Sequence, residues 1–185
     1  KGRAIMRVLG LVGSPRKGGN TDILVGTILD EASRSGHDTI KYYLHEYDIE
    51  PCIDCRMCKK GELRCVLDDG MREFYPLLDS SDVIVFGTPV YWFGPTGTMK
   101  QFIDRLRPYY ASRRLEGKKA ILVSPANDGP KEADLLVGML SRSFRHLGIL
   151  FIGSVLGTAY DRGEIRNDSS AMEEAAGLGR SLGMK

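Results

Sequence analysis

The sequence predicts an α/β protein, a three-layer sandwich on a five-stranded parallel sheet in the order 2-1-3-4-5. Three observations carry this. Five short apolar runs alternate with five longer amphipathic stretches along the chain. The run Val83-Ile84-Val85-Phe86 is continuously apolar, which fits a strand covered on both faces. A glycine-rich turn follows the first apolar run, where sheets of this order leave room for a ligand.

The first strand is expected over residues 5–13. Asn20 and Thr21 offer N-cap side chains for a helix to about Ser35, and Gly36 suits its stop. A second strand over 39–44 has moderate alternation. Residues 50–70 hold the cysteines and read as an insertion in a single domain over 1–185. Asp68 and Asp69 precede a helix from Gly70 to Leu78, where acids favour the positive end of the helix dipole. The third strand spans 82–87. Pro95 opens a helix to about Leu106, since the N–H that proline lacks has no helical partner in the first turn. The fourth strand is 120–124. A helix over 132–147 stops at Gly148, the fifth strand is 150–156, and a helix over 169–182 ends near Gly183. Crossovers are expected to be right-handed.

A chain of 185 residues suits one such domain and buries roughly 70% of its unfolded surface. The charged fraction of 27% and net charge of +2 give no nucleic-acid footprint. Arg113, Arg114, Lys118 and Lys119 form a local basic patch that reads as a solvated helix end. No apolar run approaches the roughly 20 residues of a bilayer span, so no membrane partner is expected. The N-terminal residues lack the apolar stretch of a secretory signal. The chain opens on Lys1 rather than Met, as a start that is trimmed or that carries added residues does. His37, His45 and His146 lie far apart, and no catalytic side chain is expected.

Three loops follow the strands at the expected ligand edge. Gly13-Ser14-Pro15-Arg16-Lys17-Gly18-Gly19-Asn20-Thr21 joins a buried strand to a helix N-terminus, where outward N–H groups favour an anion. Gly18 and Gly19 let the backbone come close to a phosphate. Walker A fails because Gly19 stands where its lysine belongs, and the dinucleotide fingerprint is absent. A tight turn without ligand is the alternative. In Thr88-Pro89-Val90-Tyr91-Trp92-Phe93-Gly94, three adjacent aromatics cannot all enter one core, so a planar ligand or a partner is the better account. In Ser124-Pro125-Ala126-Asn127-Asp128-Gly129-Pro130, Asn127, Asp128 and Gly129 can hydrogen-bond a ligand's polar edge, or form an ordinary turn.

All four cysteines lie in the pattern Cys52-x-x-Cys55-x-x-Cys58, six residues, Cys65. A disulfide framework is normally spread through a chain. One tight cluster looks more like thiolate ligands in a reducing, cytoplasmic setting. A 4Fe–4S cluster takes four thiolates, and three evenly stepped cysteines favour it over zinc, whose knuckles usually lie farther apart. Free thiols or a redox disulfide remain the third possibility.

The motif Gly-Ser-Pro-Arg-x-x-Gly-Asn-Thr at 13–21, Pro89-Val90-Tyr91-Trp92, and Met99-Lys100-Gln101-Phe102-Ile103-Asp104-Arg105 together resemble the NADPH-dependent FMN reductase group of flavodoxin-like proteins, over most of the chain. The resemblance implies a flavodoxin-like sandwich with FMN. Ser14, Arg16, Asn20 and Thr21 would hold its phosphate. Pro89, Val90, Tyr91, Trp92, Phe93 and Gly94 would line the ribityl chain and ring. Lys100 and Arg105 are expected to pair with acids. The cysteine motif is similar to that of the iron–sulfur flavoprotein branch. That likeness implies Cys52, Cys55, Cys58 and Cys65 as cluster ligands, and a homodimer or homotetramer in which one subunit's cluster approaches another's flavin.

The expected function is an FMN redox protein moving electrons from a ferredoxin-like donor or NAD(P)H to a small acceptor. The first alternative is an NAD(P)H:FMN or quinone reductase without a cluster. The second is a zinc-stabilised binding module without flavin.

Overall fold

The computed structural model describes residues 4–182; Lys1 and the helix stop assigned to Gly183 lie outside the described residues. Strands β1 (Arg7–Val12), β2 (Asp38–Tyr43), β3 (Val83–Gly87), β4 (Lys119–Ala126) and β5 (Leu150–Thr158) form one sheet in the order β2-β1-β3-β4-β5. Every neighbouring pair is parallel. This is the topology expected from the sequence. The register pairs Val12 with Gly87, so β1 and β3 end level and their following loops meet. The helices are α1 (Asn20–Arg34), α2 (Met71–Ser80), α3 (Gly97–Asp104), α4 (Arg107–Ser112), α5 (Asp134–Leu147) and α6 (Ser169–Ser181).

Successive strand side chains point to opposite faces. Leu9, Leu11, Ile84, Phe86 and Leu122 join Phe74, Phe102 and Leu140 of the helices in one core. Val8, Val12, Val83, Val85, Ile121 and Val123 face the other way, onto Val25 and Ile28 of α1 and Ala175 of α6. Both faces of each central strand are therefore covered, which is why the apolar runs are continuous. Each fully buried large apolar side chain contributes roughly 1.5–3 kcal/mol. The α1 and α6 helices touch because Gly179 lacks a side chain: a Cβ there would lie 2.5 Å from the Ile28 carbonyl oxygen.

Several boundaries differ from expectation. Gly19, not Asn20 or Thr21, is the α1 N-cap, and no side chain caps that helix. Asn20 and Thr21 are its first helical residues. Pro95 precedes α3 rather than opening it, because the Thr96 hydroxyl accepts the Met99 N–H (3.2 Å) and takes the cap. The helix expected to run to Leu106 stops at Asp104 and restarts as α4, with Pro108 in its first turn. A proline inside a continuing helix would delete a backbone bond, whereas the first turn tolerates it. Strand β4 extends through Pro125 to Ala126, still paired with β5. Because β3 ends opposite Val123, Pro125 interrupts no ladder bond on that side.

The basic patch is engaged by the protein itself. Lys118 Nζ donates to the Asp79 and Ser81 carbonyls (2.8 and 2.5 Å), Arg113 donates to the His146 carbonyl (3.0 Å), and Arg114 pairs with Asp79 (3.0 Å). His37 is buried; its Nδ1 accepts the Met6 N–H (3.2 Å), so its Nε2 donates to the Leu182 carbonyl (2.8 Å).

Candidate functional site

The first loop leaves β1 at Gly13, whose N–H donates to the Gly87 carbonyl (2.7 Å). The first internal bond of α1 runs from the Ile23 N–H to the Gly19 carbonyl (3.0 Å). The N–H groups of Asn20, Thr21 and Asp22 thus have no acceptor within the helix. Ser14 and Thr21 are buried beside them. Gly18 takes φ +68°, and its N–H donates to the Asp22 carboxylate (2.7 Å), which also accepts from Lys41 (2.7 Å) and Tyr43 (3.0 Å). Burial pushes the Asp22 carboxyl up, but those three hydrogen bonds outweigh it and hold the group below the usual carboxylate range. Asp22 therefore shapes the turn as an anion.

Asn20 reaches across the sheet edge. Its Nδ2 donates to the Asp161 carbonyl (2.9 Å), and its Oδ1 accepts the Gly163 N–H (2.9 Å) and the Ile165 N–H (3.3 Å). One side chain thereby ties the first loop to the segment after β5.

The second loop is fixed to the first by Thr96. Its hydroxyl donates to the Gly13 carbonyl (2.7 Å), and its N–H donates to the Thr88 hydroxyl (3.0 Å). Beyond it, Tyr91 and Gly94 exchange both backbone hydrogen bonds (2.8 and 3.1 Å), closing a two-residue turn with Trp92 at φ +51° and Phe93 at φ +63°. Turns with two positive φ values strongly prefer Asn-Gly, and each bulky residue held there costs on the order of 1–3 kcal/mol. Trp92 is 96% exposed, so no burial offsets that strain. The double substitution W92N/F93G is expected to raise stability by about 1–2 kcal/mol, measured by denaturant unfolding.

The loops enclose a groove of about 190 Å³. Ser14, Arg16, Asn20 and Thr21 form one end, Pro89, Val90 and Tyr91 one wall, and Ala126, Asn127, Ala159 and Tyr160 the other. Gly18 and Gly19 shape the loop behind it without lining it. Trp92, Phe93 and Gly94 continue past the groove at the turn tip, and Asp128 and Gly129 lie outside the lining. Sequence reasoning missed Ala159 and Tyr160. Their signal was an aromatic beside a Gly-containing turn directly after the fifth strand.

The cysteine loop is closed at its base. The Gly70 N–H donates to the Asp48 carbonyl (2.8 Å) and the Glu50 N–H to Asp69 Oδ2 (2.9 Å). Asp54, Arg56 and Leu63 all adopt left-handed φ, at +51°, +60° and +54°. None of the four cysteines is joined in a disulfide, and all four line one small cavity together with Arg105 and Arg107. Arg105 Nη2 donates to Cys65 Sγ (3.4 Å) and Arg107 Nη1 to Cys52 Sγ (3.7 Å). Burial, then the neighbouring Cys65, pushes the Cys58 thiol up. Among the described residues, no three His, Cys, Asp or Glu side chains are drawn closely enough to hold a single metal ion. Lys100 pairs with Asp104 (2.7 Å) and Arg105 with Asp69, as the sequence led one to expect.

A parallel 2-1-3-4-5 sheet with an anion-suited loop and a groove at its carboxyl edge defines a flavodoxin-like protein. The chain belongs to the NADPH-dependent FMN reductase family, whose model matches residues 6–161, and it is an FMN-dependent oxidoreductase. An iron-sulfur flavoprotein of Archaeoglobus fulgidus is 33% identical over 96% of this chain and 79% of its own length. An iron-sulfur flavoprotein of Methanocaldococcus jannaschii is 30% identical over 96% of this chain and 95% of its own. The structure of an NAD(P)H:quinone oxidoreductase from Methanothermobacter marburgensis shares the fold, with TM-score 0.76 and 17% identity over 98% of both chains. Among the described residues no helix is long and apolar enough to cross a membrane.

Proposed function

We propose that this protein is an electron-transfer flavoprotein holding FMN in the groove and a 4Fe–4S cluster on Cys52, Cys55, Cys58 and Cys65. It passes electrons from a ferredoxin-like donor or NAD(P)H to a small acceptor such as a quinone, oxygen or peroxide. The observation that carries the cluster is the meeting of all four cysteines at one cavity, with a guanidinium on each of two sulfurs. Three evenly stepped cysteines favour a cluster over zinc, whose knuckles usually lie farther apart. A cubane spreads four thiolates over four irons. The three left-handed residues of the loop fit a chain bent to surround a bound group.

When bound, FMN supplies one- and two-electron chemistry and the cluster one-electron chemistry. Ser14, Arg16, Thr21 and the first amides of α1 suit a phosphate dianion. Pro89, Val90 and Tyr91 suit the ribityl chain. The groove is smaller than the roughly 300–1,000 Å³ of enclosed ligand sites, so the ring would sit at its mouth beside Tyr91, Trp92, Phe93 and residues 127–129. Exposed aromatics there suit cover by a second subunit, hence a homodimer or homotetramer. A cavity of about 760 Å³ on the cysteine loop, lined by Cys65, Val66 and Tyr75, offers a small acceptor a place beside a cluster ligand. The flavin-free binding module is set aside by the family.

An anaerobic visible spectrum with iron and sulfide assays tests this reading. Flavin bands, a broad shoulder near roughly 400 nm and about four irons per chain are expected, and Cys58→Ser should keep flavin while losing iron. Flavin without iron or sulfide in the unmodified protein would favour the cluster-free NAD(P)H:FMN or quinone reductase.

A further inference from the structure

We propose that Arg105 and Arg107 are positioning residues that set the reduction potential of the cysteine-held cluster, by placing positive hydrogen-bond donors on two of its ligand sulfurs. The inference rests on the cluster reading above. Arg105 is the C-cap of α3 and Arg107 the first residue of α4. They are two positions apart, yet they reach opposite ends of the cysteine run, Cys65 and Cys52. The break between α3 and α4 is what aims them apart.

Each guanidinium is held by other groups. Arg105 is 1% exposed, donates to the Glu50 carbonyl (2.7 Å), and shares Nη2 between Asp69 Oδ1 (3.0 Å) and Cys65 Sγ. Arg107 is 34% exposed and pairs with Asp54, which also pairs with Arg56 (3.3 Å). A 4Fe–4S centre that accepts one electron becomes one unit more negative, with no bond made or broken at the protein. A cationic donor on a ligand sulfur favours that reduced form, so the potential rises. Asp54 works in the opposite sense, because it competes for Arg107 and adds negative charge nearby. The ends of this exposed ion pair therefore push the potential in opposite directions.

The test is a dithionite titration of the anaerobic holoprotein, followed by the electron paramagnetic resonance of the reduced cluster. Wild type, Arg107→Gln and Asp54→Asn are compared after iron and sulfide assay. Arg107→Gln is expected to lower the midpoint and Asp54→Asn to raise it. The change should be roughly threefold to tenfold in the reduced-to-oxidised ratio at fixed potential, tenfold being 59 mV for one electron. A packing disturbance would not reverse sign between two halves of one ion pair. Both variants at the wild-type midpoint, or both shifted the same way, with four irons per chain retained, would overturn the inference and leave the cluster reading standing. Wild-type protein without iron and sulfide overturns both.

Discussion

Arg105→Leu is expected to destabilise the protein by about 3–5 kcal/mol, the cost of stripping one partner from a buried ion pair. The guanidinium is 1% exposed and its partner Asp69 is 7% exposed, so water cannot replace the lost contact. Asp69 would keep only the Glu50 and Met71 amides (2.9 and 3.0 Å). In a chain of this size each kcal/mol moves the melting temperature by roughly 2–4 °C, so a fall on the order of 10 °C is expected by calorimetry. The double variant Arg105→Leu/Asp69→Leu should recover part of it, because an apolar pair leaves no buried charge.

The same pair sets a pH dependence. Burial pushes the Asp69 carboxyl up, but the Arg105 hydrogen bond and the two amides outweigh it, so its folded value lies below the unfolded one. Its contribution is complete above the ordinary carboxylate value of about 3.9 and is lost as pH falls through the depressed folded value. In Arg105→Leu the largest lowering contact is gone, so Asp69 ionisation contributes less to the variant than to wild type, and the stability gap should narrow on acidification as wild type loses the pair.

Thr96→Val should weaken FMN binding by about tenfold and cost about 2–4 kcal/mol, because valine keeps the shape and removes two bonds. The Gly13 carbonyl and the Met99 N–H would be left unsatisfied in a buried place. Both loops that enclose the groove would lose their common tie. Thr96→Ser keeps the hydroxyl and should stay near wild type in both measurements. Fluorescence titration of apoprotein with FMN, beside denaturant unfolding, separates the two effects. Loss of stability with unchanged affinity would show that Thr96 supports the fold but not the groove.

The sheet was legible because its signal is local: Val83 to Phe86 announces a covered strand without reference to anything distant. The first loop and Pro89 to Tyr91 were legible because glycines and aromatics at a strand end are costly without a purpose. The conclusion that three adjacent aromatics cannot share one core agrees with their exposure, from 48% at Tyr91 to 96% at Trp92. Long-range ties were not legible. Thr96 meets Gly13 across 83 positions and Asn20 meets Asp161 across 141, and neither residue type is unusual for its place. Arg105 could be expected to find an acid, but Asp69 read equally well as an acid favoured at a helix N-terminus, and its carboxylate both pairs with Arg105 and accepts the Met71 N–H. Tyr160 was missed because the reading stopped at the loops after strands 1, 3 and 4, whereas the groove also reaches the segment after β5.

The closed base of the cysteine loop has a consequence for how such proteins diversify. The chain enters and leaves through a narrow neck, the Asp48–Gly70 and Glu50–Asp69 contacts, and Arg105 clasps that neck from the sheet side. Nothing between 51 and 68 sets the pairing of β1, β2 or β3. The segment is a cassette. It can lengthen, shorten or exchange its thiols while the sheet keeps its register, so what the loop carries can change without rebuilding the groove.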